Sequence, residues 1–400
     1  MPYPTDCLSA QAAVDIANRD TNRLIGQVAM YVGRKSPYLD MLDGGTLDNG
    51  SETVRTVVSE RAMPAASLVR PVFVASSAAC GTGGGIDQVG STEFSFTLGN
   101  LRGRGPKICV KTTRTAFKSA YPAAVNALKQ MLLDITNSDA RANFLDHGGG
   151  KMTMDSTATF AQAYSGDINY LPNAGQGWAN RTPDSAPSFR AIEYLMTYMR
   201  ETLNVQPFEG EAGEGIFKAV FGQDVIQGFR DELDIREDVR ALTTGRYKMG
   251  EETIAGYSFT GPYHGMAFGI DPYPLRASAV VAGVPTLVEP LTATNVTVGV
   301  GARPNSAWVT APYEIGFIFG QQSFKRLVPE YSKVAGWNFS DQLVNGGLEF
   351  KILQDADCNL FGDYGQHIYE VERAYQPIAP HAVTAVLYKR CTTALNLTAC

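Results

Sequence analysis

The chain has 400 residues, of which 44% are hydrophobic and 18% are charged, and its formal net charge is −6. This length allows two or three globular domains with a sizeable core, and no apolar run approaches the ~20 residues that a membrane-spanning helix needs. The charged fraction lies below the roughly one quarter of an average soluble domain. The 40 glycines and 21 prolines favour a loop-rich protein with β structure.

The first fifty residues are predicted to contain one helix. It is expected from about residue 10 to residue 32, because Asp6 or Ser9 can cap it and apolar residues then recur along one side. Pro37 and the turn Asp43-Gly-Gly45 close this N-terminal section.

Residues 51–117 are predicted to form a long, strand-rich arm with a glycine-rich tip. Apolar and polar residues alternate in several segments, and a period of two indicates strands. The segments are residues 53–58, 68–74, 94–98 and 107–111, and the tip lies between residues 81 and 90. An isolated two-stranded ribbon is marginal in water. The arm is therefore expected to lie on another surface, and a neighbouring copy of the chain is the natural candidate.

The arm is basic, whereas the rest of the chain is acidic. Residues 51–118 include nine Lys or Arg and four acidic residues, a net charge of +5, which leaves −11 for the remainder. Two interpretations stay open: a solvated basic face, or docking on an acidic surface of nucleic acid or of another copy. The acidic remainder favours another copy, since nucleic-acid binders are more often basic overall. The candidate inter-subunit contact residues are Arg102, Arg104, Lys107, Lys111 and Arg114.

The clearest predicted helix follows the arm. Ser119 and Pro122 mark its expected start, and the run His147-Gly-Gly-Gly150 marks its end. Apolar residues recur at steps of three and four, which indicates one buried face. These residues are Ala124, Val125, Leu128, Met131, Leu132 and Ile135.

The middle of the chain is predicted to be mainly helical. Residues 150–186 are polar and rich in Gly, Asn and Pro, so we expect irregular connections there. A helix is expected from about residue 188 to residue 204, and two shorter helices are expected at 214–222 and 223–242, because apolar residues recur with helical spacing.

From Thr253 onward the pattern predicts strands and turns. Val and Thr are frequent, and no helical period is present. The predicted strand regions are residues 265–270, 278–310, 314–319, 325–328, 348–352, 367–371 and 383–388.

The sequence carries no recognisable catalytic or cofactor motif. The four histidines are widely separated, and none of the six cysteines forms a Cys-x-x-Cys pair. The glycine cluster at 81–85 does not complete a dinucleotide-binding pattern. Gly150-Lys151 is followed by Met152 rather than by the Ser or Thr of a phosphate-binding loop. We therefore predict no cofactor, no metal site and no enzymatic activity.

One enzymatic alternative stays open. An α+β enzyme could use His264 or His367 with Asp271 or Asp363 as acid–base groups.

The order of these parts resembles that of the major capsid proteins of tailed bacteriophages, which share the Hong-Kong-97-like fold. The resemblance covers nearly the whole chain and includes the apolar strand at 314–319, which leads into residues 324–328, and the strands near the end. It implies an α+β fold with an extended loop, a long spine helix in a peripheral domain, and an axial domain of helices around a sheet. The implied division is 1–50 N-terminal arm, 51–117 extended loop, 118–186 peripheral domain, 187–375 axial domain and 376–400 return to the peripheral domain.

The resemblance also implies a function. It implies the structural subunit of an icosahedral viral capsid that self-assembles into hexamers and pentamers around double-stranded DNA. The implied location is the virion, after assembly in the host cytoplasm, and the implied partners are a portal and cement or decoration proteins, without a membrane. Some members carry a fused helical, charged scaffold at the N-terminus. This chain shows none, so a separate scaffolding protein or earlier removal of that segment is implied, and Met1 favours the separate protein.

Two other classes of protein stay open beside this one. An encapsulin-type compartment shell shares the fold and would enclose enzyme cargo instead of DNA. Another virion component, such as a tail or portal part, is the second.

Overall fold

A computed structural model gives the structure of the chain over a defined set of residues. At residues 53–59, 91–97 and 108–122, and in several of the short strands after residue 253, it describes the backbone alone. The described residues are 24, 27–33, 35–39, 42–47, 53–59, 91–97, 99–104, 108–157, 178, 180–203, 205–209, 215–225, 253–254, 257–258, 266–296, 299–329, 350–354, 364–365, 367–390, 392–393 and 396–397.

Within these residues the chain forms helices and many short strands. The helices are α1 (Val110–His147), α2 (Phe189–Glu201) and α3 (Ser306–Thr310), with further helical residues at 27–33 and 223–225 and a 3₁₀ turn at Pro380–Ala382. The strands are β1 (Asp43–Leu47), β2 (Thr53–Ser59), β3 (Ser91–Thr97), β4 (Gly99–Arg104), β5 (Ile108–Cys109), β6 (Gly150–Thr153), β7 (Phe208–Glu209), β8 (Gly215–Gly222), β9 (Thr253–Ile254), β10 (Tyr257–Ser258), β11 (Met266–Asp271), β12 (Leu275–Val281), β13 (Val284–Val288), β14 (Leu291–Val296), β15 (Gly299–Pro304), β16 (Tyr313–Phe319), β17 (Phe324–Pro329), β18 (Phe350–Gln354), β19 (Tyr364–Gly365), β20 (His367–Pro377), β21 (Val383–Lys389), β22 (Thr392–Thr393) and β23 (Asn396–Leu397).

The larger main sheet has eight strands and is built around β16. One edge of β16 pairs with β21 along its whole length, from Tyr313↔Lys389 to Phe319↔Val383. Its other edge pairs with β12 near the amino end and with β8 near the carboxyl end. Strands β6, β11 and β13 extend the sheet outward from β21, β8 and β12, and β7 also pairs with β8. Both central strands are buried at almost every position, which explains their nearly continuous apolar sequence.

The second main sheet has five strands and is built around β20. The first half of β20 pairs with β4 and β18, and the last residues of β20 pair with β17. β1 joins β17 in parallel. This sheet therefore takes strands from near the start, from the base of the arm and from the last fifth of the chain, so a domain built on it is not continuous in sequence.

Two neighbouring chain crossings connect the main sheets. Residues 320–323 lead from β16 to β17, and residues 378–382 lead from β20 back to β21. The crossings are hydrogen-bonded to each other, with Gly320 N–H donating to the Ala382 carbonyl at 2.8 Å and Ile378 N–H to the Ser323 carbonyl at 3.1 Å.

Each helix buries one face against this frame. α2 begins after Ser188, whose hydroxyl accepts a hydrogen bond from Ala191 N–H at 3.2 Å, and it packs Ile192 and Leu195 on the eight-stranded sheet. α1 packs Leu128 and Leu132 against the N-terminal helical residues and β20, which confirms its predicted apolar face.

Most predicted elements are confirmed where the structure describes them. α2 lies within the predicted 188–204 helix, and residues 27–33 are helical as predicted. Strands occur in every region predicted after Thr253, although residues 306–310 form α3 instead of a strand. The predictions for residues 10–23, 68–74 and 226–242 lie outside the described residues.

The predicted start of α1 was wrong. The helix begins at Val110, so Pro122 lies inside it and only residues 108–109 of the predicted 107–111 segment form a strand. Residues 110–118 contain three threonines and no apolar stripe, so the local pattern gave no helix signal. Helix propagation from a formed turn costs little, which lets an established helix extend through such residues.

The predicted helix at 214–222 was also wrong, because residues 215–222 form β8. Ile216, Phe217, Val220 and Phe221 fit a helical spacing, but a short apolar run fits a strand buried on both faces equally well. β6 was missed for a different reason. It has four residues within a polar stretch, and it is a strand because it pairs in parallel with β21.

Candidate assembly surfaces and the buried charges behind them

The arm contains a regular antiparallel pair of strands. β2 and β3 pair over their full lengths, from Thr53↔Thr97 to Ser59↔Ser91. This agrees with the predicted strands at 53–58 and 94–98. The glycine-rich tip between residues 81 and 90 lies outside the described residues.

At its base the arm is joined to the body of the chain. β4 pairs with β20, and Arg102 stands opposite Glu370. The Arg102 Nε donates to Glu370 Oε1 at 2.8 Å, while 73% of the Arg102 side chain remains exposed. An exposed pair of this kind contributes ~0–1 kcal/mol, so it orients Arg102 without removing it from the surface.

Of the other four candidate contact residues, the structure places the backbone of three, and the fourth lies outside the described residues. Arg104 ends β4, and Lys111 and Arg114 lie in the first turns of α1. Lys107 lies outside the described residues. Of the five, Arg102 and Arg104 are therefore placed on one strand and Lys111 and Arg114 on the following helix. Their role between subunits stays a prediction.

The β12–β13 hairpin presents exposed apolar side chains that sequence reasoning missed. Val281 is 68% exposed and Val284 is 62% exposed. The two residues stand opposite each other in the register and therefore share one face of the hairpin. The available sequence signal was the absence of any charged residue from position 277 to position 288.

A buried group of charges closes one end of the eight-stranded sheet. Glu314 on β16 is fully buried, its Oε2 accepts from Arg276 Nε at 2.9 Å, and Tyr388 donates its hydroxyl to Oε1. Burial raises the pKa of Glu314, and Arg276 opposes that shift. Arg390 joins the group by pairing with Asp224 at 2.6 Å. These contacts tie four chain segments together at one point.

A second buried group joins the N-terminal segment, α1 and the end of β11. Asp271 accepts hydrogen bonds from the Tyr38 hydroxyl at 2.6 Å and from Arg141 at 2.7 Å, and the exposed fractions of the three residues are 1%, 1% and 3%. Burial raises the pKa of Tyr38 well above its ordinary value, and Asp271 acts in the same direction. The carboxylate therefore has a structural role.

These contacts bear on the enzymatic alternative. Asp271 was one of its proposed acid–base residues, and its oxygens are occupied by Tyr38, Arg141 and the Tyr273 N–H. His264 and Asp363 lie outside the described residues. His367 starts β20, where its side chain is not described. The described residues also contain no group of three His, Cys, Asp or Glu placed to hold a metal ion.

Lys151 has a structural role in the Gly150-Lys151 pair, which resembles the end of a phosphate-binding loop. It lies in β6 with 3% of its surface exposed, and its ammonium group donates to the Leu145 carbonyl near the end of α1. The Trp178 ring centroid lies 5.4 Å from Nζ. Burial lowers the pKa of Lys151 to about 8. The side chain thus satisfies a terminal helix carbonyl.

None of the helices within the described residues combines the length and apolar character needed to cross a bilayer.

Comparison with solved structures identifies the fold. The capsid of Ralstonia phage GP4 matches 91% of this chain and 93% of its own chain, at 12% sequence identity and a TM-score of 0.50. The chain has the Hong-Kong-97-like capsid fold. The predicted α+β class, with a long helix packed beside a mixed sheet, is confirmed with it.

Two further solved structures match at lower scores and add no argument. The cyanophage Pam1 capsid asymmetric unit covers 89% of this chain and 93% of its own, with 10% identity and a TM-score of 0.48. A virus-like particle from Pyrococcus furiosus covers 92% and 97%, with 11% identity and a TM-score of 0.42. No family model matches the chain, and no curated protein matches its sequence.

Proposed function

We propose that this chain is the structural subunit of an icosahedral viral capsid, which self-assembles into hexamers and pentamers around double-stranded DNA. The observation that carries the proposal is the shared capsid fold over 91% of this chain and 93% of the Ralstonia phage GP4 capsid chain. Because an identity of 12% supports the fold alone, the function needs its own test.

The arm supports this proposal by its charge. Residues 51–118 carry +5 and the remainder of the chain carries −11, so the arm of one copy is attracted to the body of the next. Each exposed ion pair contributes only ~0–1 kcal/mol. Repetition of the same contact around a closed shell multiplies that small contribution.

The proposal extends to domains and partners. The division into 1–50, 51–117, 118–186, 187–375 and 376–400 stays a prediction, as do a separate scaffolding protein, a portal and decoration proteins. The virion is the proposed location, after assembly in the host cytoplasm. An encapsulin-type shell is the alternative, and its enclosed cargo would be protein instead of DNA.

The charge of the arm can be tested directly. A variant with Lys107→Glu, Lys111→Glu and Arg114→Glu reverses three basic positions and leaves the Arg102–Glu370 pair in place. We expect a folded subunit whose yield of shells falls at least tenfold, because attraction becomes repulsion. Sedimentation measures the yield, and circular dichroism checks folding.

Lys389→Glu provides the control, since Lys389 is exposed and lies outside the arm. We expect it to assemble like the wild type. Equal shell yields from the triple variant and the wild type would contradict the proposed role of the arm.

A further inference from the structure

Three chain segments that connect the two main sheets meet at one place. The crossings 320–323 and 378–382 are hydrogen-bonded to each other, and the Ser323 carbonyl also accepts from Ala379 N–H at 3.2 Å. The third connection runs through α1, which packs beside β20 and leads into β6 of the eight-stranded sheet. β6 contacts the 3₁₀ turn of the second crossing. Residues 147–149 and the two crossings together are named the sheet junction below.

Two of the four histidines of the chain lie at the sheet junction. His147 is the last residue of α1, and His381 is the middle residue of the 3₁₀ turn. β6 and β21 pair in parallel, and each histidine comes three residues before the first pair of that register. A Cβ on Gly148 would lie 3.3 Å from the Val383 side chain, so the turns that carry the two histidines are closely packed.

Both rings are placed where the charged form is disfavoured. Each histidine is half-buried, and the Nδ1 atom of each ring is shielded from water. An imidazolium carries a hydrogen on both nitrogens, so protonation always places a donor at that shielded position. Burial lowers the pKa of His147 and of His381. The packed junction therefore favours neutral rings.

The charged groups near His147 do not reverse this preference. Asp146 favours the charged form of His147, whereas Lys151 on β6 opposes it. The Lys151 ammonium group already donates to the Leu145 carbonyl at the end of α1, where a cation is otherwise favoured. A proton on His147 thus adds positive charge near a buried ammonium group.

Apolar residues flank His381 in the chain. Ala379 and Ala382 pack in the core cluster that contains the inner face of α2, and Val383 packs in the cluster that contains Phe144. The two crossings carry no titratable side chain other than His381 itself. Burial is accordingly the cause of its lowered pKa.

We propose that His147 and His381 make the sheet junction an acid-sensitive switch, which stays packed while both rings are neutral and opens when they are protonated. The folded pKa of each ring lies below the unfolded value of ~6.5, so the opened junction binds more protons than the packed one. Packing therefore weakens as the pH falls through about 6.5. This inference goes beyond the proposed function, because it concerns the single chain whether or not copies assemble.

Hydrogen exchange of the full chain, followed by mass spectrometry, tests the inference. A local measurement is required, because Asp134 changes the overall stability in the opposite direction over an overlapping pH range. Exchange in the two crossings is compared at pH 7.5 and pH 5.5 after correction for the intrinsic rate. One pH unit below 6.5, each ring can raise the opening constant about tenfold, so we expect the wild type to lose at least tenfold in protection.

The β12–β13 hairpin is the internal control. β12 pairs with the amino end of β16, whereas the first crossing leaves from the carboxyl end. We expect protection in the hairpin to change by less than about twofold between the two pH values. An equal loss in the hairpin and in the crossings would overturn the inference, because it would show that the whole chain opens instead of the junction.

The double variant His147→Asn with His381→Asn should remove the acid sensitivity. Asparagine places a neutral amide near the Nδ1 position and takes up no proton, so its crossings should keep the same protection at both pH values. His367→Asn is the matched control, since His367 starts β20 at the end away from the second crossing. It should behave like the wild type.

A ring titration of the wild type by NMR needs no variant, so it remains decisive if the double variant does not fold. We expect two of the four histidine signals to titrate below ~6.5, and four signals at or above that value would overturn the inference. Unchanged protection in the wild type at pH 5.5, or a double variant as acid-sensitive as the wild type, would also overturn it. None of these results bears on shell formation, which electron microscopy measures separately.

Discussion

At the scale of single residues, the structure is held by buried charges that each meet a specific partner. Glu314 lies between two guanidinium groups, at 2.9 Å from Arg276 Nε and 3.8 Å from Arg390 Nε. Gly222 comes so close to this carboxylate that any side chain there would collide with it. This close approach fixes how the end of β8 packs against Glu314 on β16.

Removing the charge of Glu314 should be costly. In Glu314→Gln the buried Arg276 loses its closest carboxylate, and Asp224 alone remains to neutralise the two arginines. Breaking a buried pair from one side typically costs ~3–5 kcal/mol. We expect a loss of that size in the free energy of unfolding, measured by urea titration of the full chain. A loss below ~1 kcal/mol would show that the guanidinium groups do not depend on this carboxylate.

Asp134 on α1 gives the stability a defined dependence on pH. Burial raises its pKa to about 6, Arg141 opposes this shift, and Asp271 adds to it. Because the unfolded pKa is near 4, the unfolded chain holds fewer protons than the folded chain between about pH 4 and pH 6. This group therefore lowers the stability as the pH rises through that window, and its full cost is present at pH 7.

Asp134→Asn should remove that cost. We expect the variant to gain about 1 kcal/mol at pH 7.5, a value limited by the partial exposure of the carboxylate, and to gain little at pH 4.5. Chemical unfolding at both pH values measures the difference. An equal effect of the substitution at the two pH values would contradict the assigned titration.

At the scale of elements, Phe144 on α1 connects the two main sheets. Its ring centroid lies 5.0 Å from Phe319 on β16 and 5.1 Å from Phe324 on β17, and Tyr38 approaches it at 5.8 Å. Its side chain is fully buried. One helix residue thus packs on both sheets next to the crossings that join them.

Truncating Phe144 should therefore destabilise the whole folded chain. We expect Phe144→Ala to lose ~3–5 kcal/mol, because it leaves a cavity between the sheets, and Phe144→Leu to lose markedly less. Thermal unfolding followed by tryptophan fluorescence and by circular dichroism measures both variants. If Phe144→Ala cost no more than Phe144→Leu, the ring would not be the connection between the sheets.

The elements also show what the sequence could predict. The stripe with Leu128 and Leu132 and the apolar run of β16 are local signals, and both were predicted correctly. β8 was taken for a helix because its apolar spacing fits both structures, and only its pairing with β11 and β16 decides between them. The start of α1 carries no apolar stripe at all.

For the candidate surfaces too, local sequence signals could be read in advance, whereas contacts between distant residues could not. The charge of the arm could be counted from the sequence, so Arg102 and its basic neighbours could be named as candidate contact residues, and their role stays a prediction. The pairing of Arg102 with Glu370 joins residues far apart in the chain and could not be predicted. The exposure of Val281 and Val284 depends on how far β12 runs past β16, which is a property of the sheet.

At the scale of the whole molecule, the chain combines a firmly packed body with two surface segments of different charge. Phe144, the Asp271 group and the Glu314 group hold the body together. The arm strands β2 and β3 lie in the basic segment 51–118, whereas the β12–β13 hairpin is apolar and has no charged residue from 277 to 288.

The measurement that tests this account most directly is electron microscopy of the full-length chain, purified alone and after co-production with a scaffolding protein. The account predicts closed icosahedral shells whose subunits form five-fold and six-fold rings, with the arms lying across neighbouring copies. A compact monomer under every condition, at all concentrations, would contradict it.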